Sequence, residues 1–137
     1  DRKTSAKLSS NSTLVIKEKL MTDGTETAKT DFTVDLDGEN SSANVISRSV
    51  AKDNSYQLFL SRINGNNVCS GHTECDAIIM GNGKVSAVPE ITANHIDASL
   101  IHEAAIGKIA GEQLIKLMTL GLSEQEAEEQ IVNGFLK

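Results

Sequence analysis

Short alternating runs, each closed by a turn rich in Gly, Asn or Asp, constrain this chain more than any other feature. Phe32, Val34 and Leu36 alternate with Asp31, Thr33 and Asp35, and the run closes on Asp37-Gly38. Tyr56, Leu58 and Leu60 repeat the alternation and close on Asn64-Gly65-Asn66-Asn67. Leu14 and Ile16 precede Asp23-Gly24, the apolar run 77–80 precedes Gly81-Asn82-Gly83, and Val85 and Ala87 continue the series up to Pro89. A period of two puts neighbouring side chains on opposite faces, so residues from about 13 to 106 read as short strands cut by turns. The strand spacing, roughly a dozen residues, fits several all-β architectures, ordinary hairpins included. A β-solenoid suits it best, because small residues and Asn/Ser-rich corners fit stacked rungs. Aromatic residues are 3% of the chain and Trp is absent. A core of Val, Ile, Leu and Ala favours such flat, repeated layers.

After Lys108 the period becomes helical. Leu114, Ile115 and Met118 form a stripe along 111–120, and Gly121 stands where a left-handed C-terminal cap belongs. Ser123-Glu124-Gln125-Glu126 has the form of a capping box. Ala127, Ile131 and Phe135 follow at helical spacing as one apolar face for packing or docking. The organisation expected is therefore a β-helix core segment over 1–108 and a helical region over 109–137. A helical hairpin here has one evident physical use, to cover the open end of the solenoid.

Several function classes lack a basis. The net charge of −6 opposes nucleic-acid binding, which needs a basic surface to displace counterions. Glu124, Glu126, Glu128 and Glu129 read as a solvated helix face. No apolar stretch approaches the roughly 18 residues of a membrane span, and no signal-peptide pattern opens the chain. The first residue is Asp1, so a piece of a longer protein is expected. Two cysteines, Cys69 and Cys75, are too few for a secreted disulfide framework and point to a reduced, cytoplasmic setting. No Gly-rich phosphate loop, no Gly-x-Ser-x-Gly elbow and no His-Glu-x-x-His is present.

The residues that could carry chemistry are few. Cys75 lies in Gly71-His72-Thr73-Glu74-Cys75-Asp76, where it is either a small buried hydrophobe or a thiolate able to hold iron or carry sulfur. His72 is three residues away, a spacing that could chelate a metal, although the motifs of zinc deaminases are missing. A zinc enzyme using His72, Cys75 and His102 is a remote alternative. Cys69 reads as a core or corner residue and His95 as a surface one. If 98–106 is a strand, His102 and Glu103 face opposite ways, one towards the core or a partner and the other away.

Ordered blocks over the second half then point to a family. They are Glu74-Cys75-Asp76-Ala77 with its apolar run, Ala98-Ser99-Leu100-Ile101-His102-Glu103-Ala104, Ile106-Gly107-Lys108-Ile109 with Glu112-Gln113-Leu114, Gly121-Leu122-Ser123-Glu124-Gln125-Glu126-Ala127, and Ile131-Val132-Asn133-Gly134-Phe135. Together they resemble the C-terminal region of the SufB/SufD family of iron–sulfur cluster assembly proteins. The resemblance implies a right-handed parallel β-helix followed by helices, and a scaffold that holds nascent cluster, or iron and sulfur, without being an enzyme. It implies a SufC-like ABC-type ATPase bound by the helical region, with Ala127, Ile131 and Phe135 as candidate contacts. It also implies a SufB- or SufD-like subunit in a homo- or heterodimer, and a cysteine desulfurase or other sulfur donor. Cys75, His102 and Glu103 match the positions proposed in the SufB branch for cluster assembly, as holders of iron or persulfide. SufD-like members generally lack that Cys and carry Gly after the His, so the chain sides with SufB. It departs from longer SufB proteins at Ala93, near which they have another Cys, and at Val88-Pro89-Glu90, which replaces an aromatic-rich step. The alternative is a SufD-like structural partner without its own metal site.

Overall fold

Alternating runs joined by corners of three or four residues could fold back as hairpins; here they coil, and each strand pairs in parallel with its counterpart one turn on. A computed structural model describes residues 1–137. It contains β1 (Arg2–Leu8), β2 (Thr13–Thr22), β3 (Thr27–Leu36), β4 (Ser41–Ala51), β5 (Tyr56–Gly65), β6 (Cys69–Ile79), β7 (Lys84–Ala93) and β8 (Ala98–Lys108). Two helices follow, α1 (Gly111–Thr119) and α2 (Glu124–Leu136). Odd strands form one four-stranded sheet in the order β1-β3-β5-β7, even strands the other in the order β2-β4-β6-β8, and all pairs are parallel. The chain thus alternates between two facing sheets and completes a β-solenoid of four turns. Each residue lies beside its counterpart one turn on, Arg2 beside Thr30, Thr13 beside Ser42 and Cys69 beside Ala98. The β1 strand precedes the region whose alternation was legible, because Thr4, Ala6 and Leu8 are a weak apolar series.

The corners explain the turn chemistry. Gly24, Asp53 and Gly81 occupy equivalent corners on successive turns with φ of 54°, 56° and 62°, a region open to Gly and tolerated by Asp. The Asp53 carboxylate accepts from Gly24 N at 2.9 Å, tying one turn to the next. On the opposite corners Asn66 donates to Asp37 and Asn94 to Asn66, both at 2.7 Å, a polar ladder that climbs the solenoid. Gly38 admits the neighbouring turn, since a Cβ there would stand 2.0 Å from Ser10 N.

Between the sheets, Leu8, Phe32, Val34, Leu36, Val45, Phe59 and Ile63 form the main core with Cys69 and Cys75. The Phe32 and Phe59 rings pack tilted, with centroids 5.8 Å apart. In β5 the inward residues are Gln57, Phe59, Ser61 and Ile63, so Tyr56, Leu58 and Leu60 alternate on the outer face, half-buried. Polar side chains occupy the inner positions of β5 because they find partners there. Gln57 donates to the Thr22 hydroxyl at 2.9 Å and to Val50 O at 3.0 Å, and Ser61 donates to Thr73 at 3.1 Å. Pro89 lies within β7, which is tolerated because that strand pairs on one side only.

The helices are placed differently from expectation. Ser123 and Glu126 do form the capping box, and Gly121 adopts φ 97°. But α2 packs against α1 and the outer face of β4, not over the open end. The last turn stays uncovered: Ile91 and Ile106, both at inward positions, are 39% and 40% exposed. No helix is long and apolar enough to cross a membrane.

Candidate functional site

Parity decides which candidate residues can meet. On β6, Cys69, Gly71, Thr73, Cys75 and Ala77 are the inward, buried set, and Ser70, His72, Glu74 and Asp76 point out. His72 and Cys75, three apart, therefore stand on opposite faces and cannot chelate one ion. The zinc site of His72, Cys75 and His102 falls with them. On β8, Thr73 lies beside His102, Glu74 beside Glu103 and Cys75 beside Ala104. His102 is thus inward, on the face of Cys75, and Glu103 is outward. The three residues carried over from the family blocks do not converge within this chain: two share the interior and the third lies across the sheet.

The interior side is polar below the thiol. Cys75 lies between Ser47 on β4 and Ala104 on β8. One turn lower, Glu18 accepts from Ser47 Oγ at 2.9 Å and from Thr30 Oγ1 at 3.3 Å, and it pairs with Arg2. The Arg2 guanidinium lies 5.3 Å from the centre of the Phe32 ring. Cys75 is 1% exposed. Burial first, then the negative charges of Asp76 and Glu18, push its thiol up to about 11, so it is protonated at neutral pH. On the same inner face, beside Thr73, the His102 ring is held below its usual range by burial and by His72, with Glu103 opposing. Its Nδ1 is buried and has no hydrogen-bond partner. An imidazole with an unpartnered nitrogen and a thiol on one face are donors of the types that hold iron, the thiol once it loses its proton.

The outer side brings together residues that sequence reasoning missed as a group. His72 Nε2 is 3.1 Å from Glu103 Oε2, and His72 Nδ1 is 2.8 Å from Asn44 Oδ1. Glu74 completes a cluster whose three donor atoms lie within 4.8 Å of one another. The Glu74 carboxyl is raised above its usual range, chiefly by its hydrogen bond to Asp76 and then by desolvation and the charges of Asp76 and Glu103, with His72 opposing. The available signal was His72 and Glu74 at spacing two, hence on one face; only the register adds Glu103. Cys69 is a free, buried core residue and His95 a half-buried corner residue.

In the helical region Ala127 is fully buried and Ile131 and Phe135 are half-buried, so that stripe faces the protein's own packing. The apolar surface left open belongs to Ile115, Met118 and Leu120, exposed by 62%, 43% and 80%.

Known proteins resemble this chain in sequence over most of its length. The family described as SUF system FeS cluster assembly, SufBD core domain, matches residues 3–135. An iron–sulfur cluster assembly SufBD family protein of Methanocaldococcus jannaschii is 39% identical over 112 residues, which cover 81% of this chain and 35% of the relative. One from Archaeoglobus fulgidus is 41% identical over 103 residues, 74% of this chain and 28% of the relative. One from Staphylococcus saprophyticus is 34% identical over 102 residues, 72% and 22%. The chain therefore spans about a third or less of the curated relatives it matches.

Proposed function

The chain belongs to the SufBD core family of the SUF system, and from that premise we propose that it is scaffold rather than catalyst in iron–sulfur cluster assembly. Cluster, iron and sulfur are its cargo. Cys75 and His102 hold them from the inner face and Glu103 from the outer, and the two faces come into play together at the junction with a second SufB- or SufD-like subunit. The observation that carries this reading is the buried, unpartnered Nδ1 of His102 on the same inner face as Cys75. An orphaned buried nitrogen is costly unless a partner or ligand arrives to use it. Iron(II) supplies that partner and, as a Lewis acid, favours loss of the thiol proton.

The proposed partners follow the same premise. A SufC-like ABC-type ATPase docks on the helical region through the open surface of Ile115, Met118 and Leu120, with Ile131 and Phe135 at its margin and Ala127 supporting from within. A cysteine desulfurase supplies sulfur, in a reducing, cytoplasmic compartment.

Anaerobic reconstitution with iron and sulfide, run on this protein and its Cys75→Ser variant, tests the assignment. Charge-transfer absorbance and iron content that vanish in the variant are expected; equal loading of both removes Cys75 from the site. One observation favours a second reading. A thiol held at about 11 behaves as core, and the chain would then be a SufD-like structural partner. That reading predicts ATPase binding with no cluster formed by either protein.

A further inference from the structure

We propose that His72, Glu74 and Glu103 form a binding site for a divalent first-row transition cation on the outer face of β6 and β8, separate from the interior thiol. One imidazole and two carboxylates are a donor set suited to such ions. Rung spacing of about 4.8 Å sets residue 103 directly above residue 74, and the register confirms the pairing. His72 joins them from the same face two positions along β6, and the three donor atoms already lie within 4.8 Å of one another. Bonds of about 2.0–2.2 Å to each donor require only a small inward rotation of the two glutamates.

The surroundings are those of a ligand and not of a stray ion pair. Asn44 Oδ1, 2.8 Å from His72 Nδ1, fixes that nitrogen as the N–H donor and turns Nε2 towards the carboxylates. Such an outer partner is what orients a metal-bound histidine. With Nδ1 engaged by Asn44, Nε2 is the ring atom turned to Glu103, 3.1 Å from its Oε2, a separation that two donors on one metal ion also have. No Lys or Arg pairs with Glu74 or Glu103; the ion pairs of the solenoid's basic residues are Arg2 with Glu18 and Arg62 with Asp31 and Glu90. Asp76, next on the same face, adds a further carboxylate. The His72 and Glu103 side chains are 31% and 64% exposed, which leaves coordination positions for water and for exchange.

Iron(II) as the natural occupant rests on the assembly role proposed above; cation binding by these residues does not.

Titration of the 137-residue chain with Co2+ alone, anaerobically and without chelating buffers, read by visible absorbance and calorimetry, tests the site. The expected result is about one ion per chain, with the Kd weakened about tenfold or more in both His72→Asn and Glu74→Gln. Glu90→Gln, an exposed carboxylate of the other sheet that pairs only with Arg62, should bind as the unsubstituted chain does. Glu74→Gln changes no volume on an outer position, and an unchanged far-UV spectrum establishes that its loss is local. Undiminished binding in both outer-face variants, no binding by the unsubstituted chain, or an equal loss in Glu90→Gln overturns the site. Failed cluster reconstitution alongside retained Co2+ binding removes the scaffold reading and leaves this one standing.

Discussion

Raising the pH from about 8 to about 12 measures how firmly the solenoid holds Cys75 as a thiol. The residue is 1% exposed, and burial together with Asp76 and Glu18 moves its thiol from the ordinary 9.0 to about 11. The unfolded chain loses this proton first. Between about 9 and about 11 the folded form therefore holds more protons, and its stability falls as the pH rises. That displacement corresponds to about 3 kcal/mol, present in full below about 9 and gone above about 11. A difference between two proteins is the observable, which removes every pH effect the two share. Urea unfolding of the parent and of Cys75→Ala, repeated at each pH, should give two free energies whose gap narrows by about 3 kcal/mol. The same shift cuts the thiolate fraction near neutral pH about 100-fold relative to an ordinary thiol. Iodoacetamide should label Cys75 slower by that factor, read by peptide mass after quenching. A gap that does not change with pH, or labelling of the folded protein at a free-thiol rate, refutes the reasoning.

Two further outcomes follow from the packing. Glu18→Ala removes the acceptor of Ser47 and Thr30 and the partner of Arg2, and should cost about 2–3 kcal/mol in urea unfolding, with Arg2's own exposure keeping the figure modest; a loss under about 0.5 kcal/mol would show that the column carries no weight. Gly38→Ala drives a Cβ to 2.0 Å from Ser10 N and 2.1 Å from Ser9 C, backbone that cannot step aside, so the melting temperature should drop by about 10 °C or more, and a shift within about 2 °C would contradict the corner geometry.

The fold was legible where physics is local. Alternation in 32–36, the Gly, Asn and Asp corners, the capping box at Ser123 and Glu126 and the change of period after Lys108 each depend on a few neighbouring residues. What escaped depends on partners far along the chain. Leu58 and Leu60 carry the alternation of β5, but alternation alone does not say which face is the inner one. Gln57 and Ser61 take the inner positions of β5 because Thr22, Val50 and Thr73 satisfy them, and those partners sit up to 35 residues away. The docking of α2 was hidden likewise, since an apolar stripe such as Ala127, Ile131 and Phe135 does not say whether it covers the end of a solenoid, its flank or another protein.

The same distinction bears on the site. Individual residues could be singled out, but their grouping is a matter of register. His102 and Glu103 are adjacent in sequence, and a strand must send them to opposite faces. Parallel stacking at intervals of 28 or 29 residues then decides the company each keeps: His102 beside Thr73 on the side of the thiol, Glu103 beside Glu74 on the side of His72. A one-residue slip of β8 against β6 would exchange those faces and place the carboxylate against the thiol. The corner ladder that carries Asn94 onto Asn66 stands immediately before β8 and holds it against such a slip. Corner chemistry remote from any metal donor therefore sets which donors can act together, and it divides them into an inner pair, Cys75 and His102, and the outer triad of His72, Glu74 and Glu103.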